Sequence, residues 1–220
     1  MDVLIISPHM DDEVLGCGGT IAKHVENGDR LSVCVIANRV YNHQFDERKY
    51  EIEQNHSRKA KKVLSYSDLV FFGLKDERLE ESVQEIVVLL EKYIEKNKPS
   101  VVYIPFSGDN NQDHRATFNA SRIALRPLAT HYIEKICMYE VPSSTEQSPP
   151  LHESAFMPNY YVDITNYFKK KTEAYECYVT EKRDYPHPRS KEALKVLAQK
   201  RGIEVGFPYA EAFVLIRQKW

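Results

Sequence analysis

Three features of the chain predict an α/β fold, a three-layer Rossmann-like arrangement in which a mostly parallel sheet carries helices on both faces. Short apolar runs at residues 3–6, 31–37, 69–72, 101–106 and 136–139 alternate with stretches that read as helices. The runs are apolar almost throughout, as strands covered on both sides must be. The 220 residues suffice for one sizeable core, so residues 1–220 are expected to form a single domain.

The first strand, Val3-Leu4-Ile5-Ile6, leads through Ser7-Pro8-His9-Met10-Asp11-Asp12-Glu13 to Gly16-Cys17-Gly18-Gly19 and a helix expected over residues 18–27. The second strand, 31–37, ends at Ala37-Asn38-Arg39, and a helix over 46–64 precedes the third strand at 69–72. In the next helix, 79–97, Val87, Leu90 and Ile94 have the spacing of a buried stripe, and Lys98-Pro99 ends it. A fourth strand at 101–106, a helix over 114–126 and a fifth strand at 136–139 follow. Residues 141–157 contain Pro142, Pro149 and Pro150 and read as a long irregular loop of the kind that rims an active site. A strand at 160–164, helices over 169–180 and 190–201 and a last strand at 212–217 complete the chain. Crossovers between parallel strands are expected to be right-handed.

A formal net charge of −2 gives no electrostatic reason to expect nucleic acid, and no apolar run reaches membrane-spanning length. The chain opens on Met1-Asp2 and enters a strand without a basic leader, so a cytoplasmic location and a small-molecule partner are expected. Four cysteines without C-x-x-C spacing imply core packing rather than a disulfide framework. The tyrosines at 160, 161, 167, 175 and 178 suit either a core or the interface of a homo-oligomer.

The chemistry gathers at two strand ends. In an open α/β sheet, ligands bind beyond the carboxyl ends of the strands. There the first strand delivers His9, Asp11 and Asp12, and the fourth delivers Asp109, Asn111, Asp113 and His114. A divalent metal site with an open position needs two neighbouring ligands and a third from elsewhere, which His9, Asp12 and His114 supply. Asp11 remains as a base for a metal-activated water. Helix capping by Asp11 or Asp12 is the bland alternative, and it explains neither His9 nor the second cluster. A nucleotide-binding glycine loop is a second alternative. It fails on order, because His9 to Glu13 stand between the strand and the glycines, and Ala37-Asn38-Arg39 replaces the expected acid. The glycines are then expected to permit close helix packing.

These residues resemble the PIG-L/LmbE-like zinc N-deacetylases. Pro8-His9-Met10-Asp11-Asp12-Glu13 matches the opening (P/A)-H-P-D-D-E of that family apart from Met10, and Asn111-Gln112-Asp113-His114 matches its H-x-D-H apart from Asn111. Leu74-Lys75-Asp76-Glu77-Arg78-Leu79 and Tyr209-Ala210-Glu211-Ala212-Phe213 look like its L-x-D-x-x-L segment and terminal A-E-A-F strand, so the similarity runs nearly end to end. It implies a hydrolase that removes acetyl groups from N-acetylglucosamine-type sugars, with His9, Asp12 and His114 on Zn2+ and Asp11 as general base. Fe2+ suits the same two-His, one-carboxylate set. A same-fold metal hydrolase acting on another amide or ester is the nearer alternative. Asn111 stands where the family has a histidine that helps stabilise the oxyanion. An asparagine donates a neutral hydrogen bond there and carries no charge. Asp113 is expected to orient His114; His187, in Asp184-Tyr185-Pro186-His187-Pro188-Arg189, is a candidate to enter the pocket in place of the missing histidine, its alternative being an exposed side chain between two prolines. Arg39, Tyr41 and His43 after the second strand are candidates for sugar hydroxyls or a phosphate, and Asp76 for a sugar hydroxyl. Their alternatives are a solvated loop and a turn residue.

Overall fold

The computed structural model describes residues 1–41 and 43–219, the Tyr41 side chain excepted. In chain order the elements are β1 (Asp2–Ser7), α1 (Asp12–Glu26), β2 (Arg30–Ala37), β3 (Val40–Tyr41), β4 (Gln44–Phe45), α2 (Glu47–Leu64), β5 (Asp68–Leu74), α3 (Val83–Asn97), β6 (Val101–Pro105), α4 (Gln112–Ala124), β7 (Lys135–Tyr139), β8 (Tyr160–Asp163), α5 (Phe168–Tyr175), α6 (Lys191–Ile203) and β9 (Ala210–Gln218). Seven strands form one sheet in the order β5-β2-β1-β6-β7-β9-β8. The first five pair in parallel, and β9 runs antiparallel to both β7 and β8.

Strand alternation builds two cores. Val3 and Ile5 of β1 and Val101 and Tyr103 of β6 face α1, α2, α5 and α6. Leu4, Ile6, Val102 and Ile104 face α3 and α4. Helices therefore cover both faces, as the unbroken apolar strands require.

Strand order places the site. From β1 the chain winds outward to β2 and β5, then returns to β6 on the other side of β1. The order thus reverses between β1 and β6, and the loops leaving their carboxyl ends diverge around a crevice. The two motif loops meet there.

Several elements differ from expectation for local reasons. Helix α1 begins at Asp12, not Gly18, and carries the glycines inside it. A Cβ on Gly16 would lie 2.4 Å from the Tyr139 ring, and one on Gly19 2.6 Å from Ile164, so these glycines do let α1 pack closely. The expected helix at 79–97 opens with a 3-10 turn, Leu79–Ser82, where Asp113 Oδ1 accepts from Leu79 N at 3.0 Å. Helix α5 stops at Tyr175 instead of 180, because i→i−3 bonds from Cys177, Tyr178 and Glu181 wind the chain inward. The two-residue strands β3 and β4 form a hairpin too short to show alternation in sequence. Residues 141–157 are irregular, with one 3-10 turn at Thr145–Gln147.

Candidate metal centre and catalytic carboxylate

Just beyond β1, Ser7 Oγ donates to the His9 carbonyl at 2.7 Å, and Pro8 to Glu13 are buried. Asp11 ends the loop at φ 119°, ψ −28°, the left-handed side of the map, where a non-glycine residue stores strain on the order of 1–3 kcal/mol. Glu13 supports that conformation by accepting the Asp11 N–H on Oε2 at 3.2 Å, while Tyr178 donates to its other oxygen. The Asp11 carbonyl accepts from Val14 and Leu15 and starts α1, but its carboxylate makes no capping bond. Capping does not account for Asp11.

Three donor atoms form a nearly equilateral triangle. His9 Nδ1 and His114 Nε2 each lie 3.2 Å from Asp12 Oδ2, and 3.3 Å from one another. Ligands on a tetrahedral ion with bonds of roughly 2.0–2.1 Å stand about 3.3 Å apart. Asp12 Oδ1 is buried without a hydrogen-bond partner among the described residues, as suits a carboxylate whose charge is meant for something other than protein donors. The donor set fits a divalent ion.

Behind the triangle stand more carboxylates. His9 Nε2 lies 3.1 Å from Asp76 Oδ1 and 3.2 Å from Asp113 Oδ2. With Nε2–H directed at them, Nδ1 keeps its lone pair for the triangle. Asp113 also accepts from Glu77 N at 2.7 Å, and Asp76 from Val40 N and Glu77 N at 3.0 Å each. On the other ligand, His114 Nδ1 lies 3.3 Å from Asp109 Oδ1, too misaligned for a hydrogen bond. Asp109 is held by the hydroxyls of Ser144 and Thr145, which brings the 141–157 loop to the site.

These charges set the protonation pattern. Burial opposes charge on His9, but the carboxylates of Asp113, Asp12 and Asp76 outweigh it and raise its pKa well above the usual range. His114 rises to about 9 as Asp12 and Asp109 overcome burial in the same way. Burial disfavours the Asp12 anion, yet His114 and His9 hold its pKa well below normal. The field at the triangle demands positive charge, which protons on the imidazoles or a divalent cation supplies. Asp11 is the opposite case: burial pushes it up to about 8, with Arg189 pulling the other way.

The remaining expected residues fall as follows. Asp113 faces His9, not His114, because α4 turns it toward the 74–79 segment; Asp109 occupies the position beside His114. Asp76 turns one oxygen to His9 and accepts from Val40 N on the other. It also borders a cavity of ≈590 Å³ lined by Asn38, Val40, His43, Phe45, Lys75, Glu77 and Arg78. Asn111 caps α4, accepting from Asp113 N at 2.8 Å. Arg39 donates to Glu181 at 2.6 Å, and His43 pairs with Glu77 at 2.6 Å; the Tyr41 side chain lies outside the described residues. His187 does not enter the site: its Nδ1 accepts from Arg189 N at 3.0 Å within its own loop. Arg189 reaches the site instead, 2.9 Å from Asp11 Oδ2. Arg189 stands in the basic loop marked in the sequence. Nothing in sequence singled out Glu181, or gave Asp109 and Glu13 the supporting roles they hold here.

Known proteins resemble this chain in sequence and in fold. The chain is 28% identical over 178 residues to the uncharacterized deacetylase YaiS of Escherichia coli (strain K12), covering 78% of this chain and 87% of that protein. It is 28% identical over 189 residues to the probable N-acetyl-alpha-D-glucosaminyl L-malate deacetylase 2 of Bacillus anthracis, covering 81% of this chain and 80% of that protein. The crystal structure of the conserved protein TT1542 from Thermus thermophilus superposes with a TM-score of 0.82 at 23% identity, covering 100% of this chain and 96% of that one, which shows the shared fold. The sequence profile of the PIG-L family, described as GlcNAc-PI de-N-acetylase, matches residues 4–125, more than half of the chain and the span that carries His9, Asp11, Asp12 and His114. The chain belongs to the PIG-L family of de-N-acetylases.

Proposed function

We propose that this protein removes the acetyl group from an N-acetylated sugar or sugar conjugate of the N-acetylglucosamine type, with Asp11 as general base and His9, Asp12 and His114 as ligands of Zn2+. The observation that carries the reading is the separation of tasks between adjacent carboxylates. Asp12 is committed to two imidazoles, while Asp11 points one oxygen at Arg189 and keeps the other, Oδ1, buried with no hydrogen-bond partner among the described residues. Fe2+ remains the other ion the donor set suits. The substrate class is drawn from the family and from the substrate named for the Bacillus relative. The ≈590 Å³ cavity beside Asp76 lies within the range of small-molecule sites, roughly 300–1,000 Å³, and offers polar groups with one aromatic ring.

When bound, the ion would make water a stronger acid and polarise the acetamide carbonyl. Asp11 Oδ1 takes a proton from the water that attacks the carbonyl carbon. As the C–N bond breaks, the same carboxyl returns that proton to the departing nitrogen, so that an amine and acetate result. His9 keeps its alignment through Asp76 and Asp113, and Asp109 sets a negative charge 3.3 Å from His114 Nδ1. Asn111, committed to capping α4, brings no charge to the oxyanion.

Acetate release from a panel of N-acetylglucosamine derivatives, measured alongside metal per chain, tests the reading. Release that scales with zinc loading is the expected outcome. Stoichiometric metal with no release from any member would transfer the site to another amide or an ester.

A further inference from the structure

The two oxygens of Asp11 have different surroundings. Oδ2 accepts from Arg189 Nη1 at 2.9 Å, and Oδ1 is buried with no hydrogen-bond partner among the described residues. Arg189 is itself fixed from several directions. Its Nη1 also donates to Glu181 Oε2 at 2.9 Å, and its Nε donates to Ser143 Oγ at 2.6 Å. Glu181 is 3% exposed, and its second oxygen accepts from Arg39 at 2.6 Å. Tyr175 holds the backbone of Glu181 by donating to its carbonyl at 2.8 Å. A continuous line of charge thus runs from the end of β2, through the turn after α5, to the loop before α6, and stops on one oxygen of the base.

Stability alone is a poor reason for such a line, because desolvating buried ions cancels much of what their pairing returns. A planar guanidinium that donates to two carboxylates at set angles, however, fixes orientation in a way a lysine ammonium does not. We propose that Arg39, Glu181 and Arg189 are positioning residues that brace Asp11 through Oδ2, so that Oδ1 is the oxygen that accepts the proton. The proposal rests on Asp11 being the base assigned above. Proton transfer is governed first by reach and direction. A misplacement of about 1 Å costs roughly 10²-fold in rate.

The experiment uses the zinc-loaded full chain as wild type, Arg189→Ala, Arg189→Lys and Glu181→Gln. For each variant, kcat and KM for an N-acetylglucosamine derivative, zinc per chain and a crystal structure are determined. Expected for Arg189→Ala is a fall in kcat of about 10²-fold with KM and zinc unchanged, partly rescued by added guanidinium. Arg189→Lys should recover only part of the loss, and the Asp11 carboxylate should be rotated in the Arg189→Ala structure. A kcat within a few-fold of wild type, loss of zinc, or an Asp11 side chain in its wild-type orientation would overturn the brace. Should Arg189→Ala fail to fold, the isosteric Glu181→Gln gives the same readouts with a smaller kcat loss. If wild type releases no acetate, the deacetylase reading fails, while a rotated or unmoved Asp11 in the variant structures still decides the brace.

Discussion

Two halves of one crevice treat carboxylates in opposite ways. On the imidazole side, Asp12, Asp76, Asp109 and Asp113 surround His9 and His114, and the acids that shift there are held as anions: Asp76 falls to about 2 because His9, the Val40 N–H and the Arg39 charge outweigh burial. On the guanidinium side, Asp11 meets Arg189, which is already shared with Glu181, and burial raises it to about 8. Neighbours in sequence therefore face opposite surroundings, which is what the proposed division into ligand and base rests on. Environments that drive two titratable groups apart are how one site divides its labour.

The largest effect that can break this comparison is on the imidazole side. His114→Ala should leave zinc near zero per chain and acetate release at the level of chelator-treated enzyme; full zinc in that variant would remove His114 from the triangle. A smaller effect sharpens the role of the outer carboxylates. Asp76→Asn should weaken zinc binding roughly 10–100-fold, as loss of a carboxylate behind a ligating histidine does, while Glu181→Gln on the other side leaves zinc affinity as it was. Competition with a chromogenic chelator reads both, and equal weakening would erase the distinction between the halves. The smallest effect concerns Asn111. Asn111→Ala removes an N-cap and should cost about 1 kcal/mol of stability, lowering Tm by roughly 2–4 °C. A hundredfold fall in kcat at unchanged Tm would instead make Asn111 a donor to the reaction.

The imidazole side was legible in sequence because its parts are local. His9 and Asp12 share one loop, His114 follows a second apolar strand, and the strand alternation that brings the loops together is written in Val3–Ile6 and Val101–Pro105. The packing role of Gly16, Gly18 and Gly19 was legible, and Tyr139, Lys171 and Ile164 press on them as expected, but the start of α1 was not: the helix already begins at Asp12, before the glycines. The guanidinium side was hidden as well. Glu181 is one acid among many in sequence, and only the tight turn after α5 brings it between Arg39 and Arg189. His187 carried the more suggestive chemistry, but the loop commits its ring to the Arg189 backbone and sends the arginine inward. Asp76 and Asp113 were visible as motif members. Their service to His9 depends on the path of the 74–79 segment, which no periodicity reports.

The most direct test compares Asp11→Asn with Asp12→Asn, measuring zinc per chain and acetate release on the same samples. The account predicts that Asp11→Asn keeps wild-type zinc and loses turnover by about 10²–10⁴-fold, whereas Asp12→Asn loses the zinc itself. Equal loss of zinc in both variants, or turnover retained in Asp11→Asn, would contradict the division between ligand and base.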